Sequence, residues 1–147
     1  MTSIDFYFNA PDRLQVACRL AAKALAQKKR MVVFAPEAEL AQKIDRLLWT
    51  WPATGFVPHC TTHDPLAADT PVLIATEPED APACDIVLNL GAECPPRFER
   101  YERVLEIVST DDAERSAGRA RFKFYRDRGF AIASHDLAAV AREGPAA

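Results

Sequence analysis

Apolar residues along this chain fall into two kinds of run, and the alternation between them sets the fold. Short, mostly apolar segments occur at Ile4–Phe8, Met31–Phe34, Val72–Ala75, Ile86–Leu90 and Val104–Val108. Rich in Val, Ile and Leu without strict polar alternation, they predict strands covered on both faces. Between them the spacing becomes helical. Asp12 can cap a helix over about Arg13–Lys28, in which Leu14, Cys18, Ala21 and Leu25 form the buried stripe. Pro36 suits a first helical turn, Glu37 and Glu39 complement the dipole there, and Leu40, Ile44, Leu47 and Leu48 make one apolar face. Strands alternating with helices predict an α/β fold, a three-layer Rossmann-like sandwich around a mainly parallel sheet.

The last long helix has two faces. Asp111 with Glu114 makes a capping-box-like start, and Gly129 supplies the stop. At about 100° per residue, Ala113, Ala117, Ala120 and Phe124 share a narrow stripe whose small side chains suit close packing on a sheet. Arg115, Arg119, Phe122 and Arg126 form another stripe, rotated nearly half a turn from the first. It is either a solvated basic face or a binding surface, and the phenyl ring among the arginines favours binding.

A second aromatic feature lies in the middle of the chain. Trp49, Trp51 and Phe56 stand in a segment pinned by Pro52 and Pro58, which force the chain out of the preceding helix. These rings either dock a partner protein or fold back to cap the core.

Charge is distributed unevenly. The 147 residues carry 18 Lys and Arg against 21 Asp and Glu, a net charge of -3, which argues against wrapping nucleic acid over the whole surface. From Leu47 to Pro96 there is no Lys or Arg, whereas Asp64, Asp69, Glu77, Glu79, Asp80, Asp85 and Glu93 fall there. From Arg115 to Arg128 six basic residues face Asp127 alone, so this face attracts an acidic partner. The length and the 49% hydrophobic content suit one domain over residues 1–147, with a poorly defined tail after about residue 135.

Cys18, Cys60, Cys84 and Cys94 form no C-x-x-C pair, and no leader or membrane-length apolar run is present, which predicts a reduced cytoplasmic protein. His59, Cys60 and His63 cluster, but no second ligand pair completes a closed metal site, so a structural role is expected and no metal or cofactor.

In their order along the chain, Leu48-Trp49, Pro52, Phe56-Val-Pro-His59, Phe122-Lys-Phe-Tyr-Arg126 and Gly129-Phe130 resemble the chi subunit family of bacterial DNA polymerase III. Ile4-Asp-Phe-Tyr-Phe8, Lys28-Lys-Arg-Met-Val-Val-Phe34 and Asp85-Ile-Val-Leu-Asn-Leu90 follow the same order, so the resemblance spans about Ile4 to Phe130. It implies a non-catalytic accessory subunit of the polymerase III holoenzyme. Such a subunit links the clamp-loader complex, through psi, to the acidic, Phe-terminated tail of single-stranded DNA-binding protein. By resemblance the tail site falls on Arg115, Arg119, Phe122, Lys123 and Arg126, and the psi-facing surface on Trp49 and Phe56. Relatives carry lysine at the position of Arg115 and tyrosine at that of Phe122, and they do not usually repeat Trp51. The pocket here therefore loses a hydroxyl.

Two other classes compete. A nucleotide-binding enzyme would place its ligand at the carboxyl ends of parallel strands. Yet the five glycines form neither G-x-G-x-x-G nor a Walker motif, and no nucleophile motif is present. Tyr125 and His135 are the acid-base candidates under that reading, with structural roles the commoner outcome. A direct single-stranded DNA binder would track phosphates and stack bases, and one basic stripe on an acidic chain is a small footprint for it.

Overall fold

The computed structural model describes residues 2–50, 58–62, 64–66, 70–77 and 85–138. Seven strands are present: β1 (Ser3–Ala10), β2 (Met31–Phe34), β3 (His59–Thr61), β4 (Val72–Ala75), β5 (Ile86–Asn89), β6 (Arg103–Ser109) and β7 (Ile132–Asp136). Three α-helices occur among the described residues: α1 (Arg13–Ala26), α2 (Ala38–Thr50) and α3 (Asp112–Asp127). The strands form one sheet in the order β3-β4-β2-β5-β6-β1-β7, and every pairing is parallel. The expected α/β architecture is borne out.

Alternation along each strand explains why the strands read as continuous apolar runs. Met31, Val33, Leu105 and Ile107 join the core under α1 and α2, while Val32, Phe34, Val104 and Val108 join the core under α3. Both faces are buried, so no polar phase survives. The two strands that sequence reading does not find are β3 and β7, which occupy the sheet's edges. An edge strand is covered less completely, and Ala133, Ser134 and His135 of β7 are indeed exposed. β7 ends at Asp136, and the tail expected after about residue 135 lies largely outside the described residues.

Helix boundaries follow local chemistry. The Asp12 carboxylate accepts from the Leu14 and Gln15 amides and starts α1 as expected. The helix ends two residues earlier than expected, with Lys28 taking the left-handed conformation at φ 59° and Lys29 N donating to Ala24 O. α2 begins at Ala38 rather than at Pro36, because the Glu37 carbonyl accepts the first helical bond, from Ala41 N.

For α3 the expected packing face is wrong. Ala113 and Ala120 are exposed, Ala117 is half-buried and Phe124 is 37% exposed, whereas Gly118, Arg121 and Tyr125 are buried against the sheet. The alanine stripe is one flank of the helix and the arginine stripe the other. The true packing line runs between them because a carboxylate beneath it, Glu106, holds Arg121 and Tyr125.

Candidate functional site

α3 sits over β6 and flanks the end of β1. Its first turn is closed by Asp111, whose carboxylate accepts from Glu114 N at 3.1 Å. The return bond of a capping box is replaced: Ser109 Oγ donates to Glu114 at 2.8 Å and accepts from Asp111 N at 3.2 Å. Midway, Gly118 lies so close to β6 that a Cβ there would meet Val108 Cγ2 at 2.7 Å. Glycine thus lets the helix backbone approach the strand, and Gly129 at φ 82° closes the helix.

Along one flank of α3 a cavity of about 290 Å³ opens toward β1 and β7. Arg115, Arg119 and Phe122 line it from the helix, Phe6, Phe8 and Asn9 from β1, Val108 and Ser109 from β6, and Ser134 from β7. The Phe122 ring meets Phe6 edge-on at 5.2 Å, so its half-buried face belongs to the floor of the cavity. Arg115 and Arg119 are exposed, and no acidic side chain among the described residues pairs with either. Two free guanidinium groups above an apolar floor suit a ligand with a carboxylate on a hydrophobic side chain.

Three of the five residues expected at this site therefore come together. Lys123 and Arg126 do not line the cavity; both are exposed on the same helix, and Arg126 Nε lies 3.5 Å from the Asp127 carboxylate. Sequence reasoning missed the strand contribution. Phe6 and Phe8 read as ordinary core, and Asn9 enters the cavity only because the register of β1 against β6 shifts after Tyr7 and Asn9 adopts φ 60°. Its Nδ2 donates to Asp136 Oδ1 at 2.9 Å, which ties the cavity rim to β7.

Beneath α3 lies a polar cluster that sequence reading also missed. Glu106 is completely buried and accepts from Asn89 Nδ2, from Arg121 Nε at 2.9 Å and from Tyr125 Oη at 2.7 Å. Burial pushes its carboxyl up, while Arg121, Tyr125 and Asn89 pull the other way. Burial and the neighbouring carboxylate push the Tyr125 phenol far up, so it serves as a donor and not as an acid-base group. A charge inside Val-Leu-Glu-Ile-Val was the available signal, since a buried strand carboxylate needs a cation above it. His135, the other acid-base candidate, has Nε2 3.0 Å from Asp5 Oδ1 and its ring stacked on Tyr7 at 4.6 Å.

The second expected surface is only partly described. Trp49, at the end of α2, is 56% exposed, so it does not cap the core. Its ring packs 4.7 Å from that of His59, whose Nε2 lies 3.1 Å from both the carboxylate and the main-chain carbonyl of Asp45. Phe56, Trp51, Pro52, His63 and Cys84 lie outside the described residues. Cys60 is half-buried, and no group of three or more metal-ligating side chains occurs among the described residues.

At the carboxyl ends of β5 and β6, where open parallel sheets take their ligands, a second cavity of about 250 Å³ is lined by Arg13, Gly91, Glu114 and Arg121. Its arginines are engaged: Arg13 pairs with Glu114 at 2.8 Å, and Arg121 pairs with Glu106 and donates to Ala92 O at 3.0 Å. No helix among the described residues is long and apolar enough to cross a membrane.

Fold and site together define a class: an open parallel α/β sheet with two free guanidinium groups facing an apolar-floored cavity beside the last helix of the described residues. Two solved structures of the C-terminal domain of the DEAD-box protein Dbp5 share the fold. One, from S. cerevisiae, is 12% identical with a TM-score of 0.58, covering 91% of this chain and 90% of that one. The other is 14% identical with a TM-score of 0.61, covering 92% and 91%. Such low identity speaks for the fold alone.

Sequence comparison goes further. A profile of the DNA polymerase III chi subunit family matches residues 1–133. The chain is 33% identical over 141 residues to DNA polymerase III subunit chi of Pseudomonas aeruginosa, covering 93% of this chain and 98% of that one. It is 28% identical over 117 residues to the Escherichia coli subunit chi, covering 79% and 80%. The chain belongs to the DNA polymerase III chi subunit family.

Proposed function

We propose that this chain is a non-catalytic accessory subunit of the DNA polymerase III holoenzyme. It links the clamp-loader complex, through psi, to the acidic C-terminal tail of single-stranded DNA-binding protein. The observation that carries this reading is the cavity on α3, where Arg115 and Arg119, free of acidic partners among the described residues, stand above a floor built from Phe6, Phe8 and Phe122. A chain terminus offers a carboxylate and a side chain on one carbon. Arginine grips the carboxylate with charge-assisted hydrogen bonds while the rings take the side chain. Phe122 stands where relatives carry tyrosine, so the contact relies on packing and on the guanidinium groups. Trp49, exposed at the end of α2, serves as the anchor toward psi, with Phe56 beside it in sequence.

The mechanism is bivalent. A weakly held tail gains effective concentration once the chain is anchored in a multisubunit complex, so the link persists during synthesis and still exchanges. Membership of the chi family and the engaged arginines of the nucleotide crevice support the accessory role over an enzyme.

Calorimetry with an acidic peptide ending in Phe tests the reading. The free-acid peptide is expected to bind, with affinity falling as salt is added, and the C-terminal amide to bind at least about tenfold more weakly. Equal affinity for the two peptides would exclude capture of a terminal carboxylate.

A further inference from the structure

We infer that Glu106, with Arg121 and Tyr125, is the positioning device that fixes the rotation of α3 and so holds the tail cavity in shape. This rests on the tail-binding reading of that cavity. Glu106 projects from the middle of β6 onto the face covered by α3, between Val104 and Val108, and is entirely buried. Its donors on the helix, Arg121 and Tyr125, are four residues apart and both buried. One anchor would leave the helix free to swivel. Two anchors, about 6 Å apart along the axis, fix its rotation and its sliding at once.

The other polar contacts of α3 with the rest of the chain, from Ser109 and Arg13 to Glu114, act at its first turn. Val108 against Gly118 is a smooth apolar surface against a notch, and apolar attraction has no direction. Arg115, Arg119 and Phe122 lie on the same helix, on the flank beside the anchors. A rotation of about 10° moves a group about 6 Å from the axis by about 1 Å. Bidentate capture of a carboxylate tolerates about half that displacement.

The energetics point the same way. Replacing a buried ion pair by apolar side chains of similar volume is often neutral or stabilising, so Glu106 with Arg121 is poorly explained as a source of stability. Asn89 is the group that permits a clean test. Its Nδ2 also donates to Glu93 O at 2.8 Å, and its Oδ1 accepts from Gly91 N at 2.9 Å. It therefore stays satisfied when the carboxylate is removed.

The test compares the full chain with the triple variant Glu106→Leu, Arg121→Met, Tyr125→Phe, which deletes the charged cluster and takes a donor from the carbonyl of Ala92, an exposed residue that water can reach. Urea unfolding checks that the variant folds, and two readouts are then taken: affinity for the free-acid peptide, and residual dipolar couplings of the amides of residues 112–127 relative to those of the sheet. The expected result is a folded variant whose α3 couplings depart from the wild-type orientation and whose affinity falls at least about tenfold. Unchanged couplings would overturn the inference whatever the peptide does, and so would wild-type affinity in the triple variant. If α3 reorients while even the wild-type chain ignores the peptide, the positioning role stands and the tail-binding reading fails instead. Should the triple variant not fold, Tyr125→Phe alone is read the same way, with a smaller shift in both measurements and the same overturning results.

Discussion

The two surfaces of this molecule differ in curvature. On α3 the cations and rings surround a cavity of about 290 Å³ built from three strands and a helix. At the end of α2 the Trp49 indole, 56% exposed, packs against His59. A concave site admits a chain terminus, whereas an exposed ring can only enter a groove that a partner supplies. Under the proposed function the contrast gives the two surfaces different parts: the α3 flank would receive, and the Trp49 end would insert. Free cations surround the first, whereas the indole's near neighbour is a histidine already held by Asp45. Salt should therefore weaken the first contact more than the second.

The largest expected effect falls on the receiving side. Arg119→Ala should weaken binding of the free-acid tail peptide by about 2 kcal/mol or more, while leaving urea unfolding nearly unchanged because the residue is exposed. A comparable loss is expected on the other side, where Trp49→Ala should cost about 2 kcal/mol of association with a psi-containing clamp loader, the scale of a truncated hot spot. Tail-peptide affinity of that variant should equal wild type. If either substitution weakens both contacts, the two surfaces are not separate.

An effect on folding, and through it a smaller one on binding, is expected inside α3. Gly118→Ala sets a Cβ 2.7 Å from Val108 Cγ2, so the helix must lift from β6 at a cost of about 1–3 kcal/mol in unfolding free energy. Because Gly118 also lines the cavity, peptide affinity should fall as well. An alanine variant as stable as wild type would mean that helix and strand are less closely packed than described.

The smallest change concerns Asp5 on β1, one residue before the cavity's Phe6. Burial alone would raise the Asp5 carboxyl, but hydrogen bonds from His135 and Arg103 hold it below its ordinary range. A depressed folded value means that the contribution is complete above the unfolded value of about 4 and is lost as pH falls through the folded one. The gap in urea midpoint between wild type and Asp5→Asn should therefore hold from about pH 7 to about pH 5 and narrow as pH falls below about 4. A gap independent of pH would contradict the pairing. At the null end of the series, saturating nucleotide should not shift the melting temperature, and a dose-dependent rise would restore the nucleotide-binding reading.

How much of this was legible in sequence depends on what each segment touches. β2, β4 and β5 were readable because both their faces are buried, and β3 and β7 were not because edge strands are less fully covered. The helical half of the cavity was readable, since Arg115, Arg119 and Phe122 recur at helical spacing. Its strand half was hidden: Phe6 and Phe8 resemble core, and Asn9 is turned inward by a register shift that no periodicity reveals. The packing line of α3 was misread for a related reason. Arg121 looks like a surface residue until Glu106, fifteen positions earlier, is placed beneath it at 2.9 Å.

The central claim is that the α3 flank, and not the Trp49 end, receives the acidic chain terminus. Amide and indole chemical-shift mapping of the full-length chain, titrated with the free-acid Phe-terminated peptide, tests it most directly. Shifts should concentrate at Asn9, Ser109, Gly118, Arg119, Phe122 and Ser134, with the Trp49 indole signal unmoved. Shifts centred on Trp49 and His59, with the cavity residues silent, would contradict it.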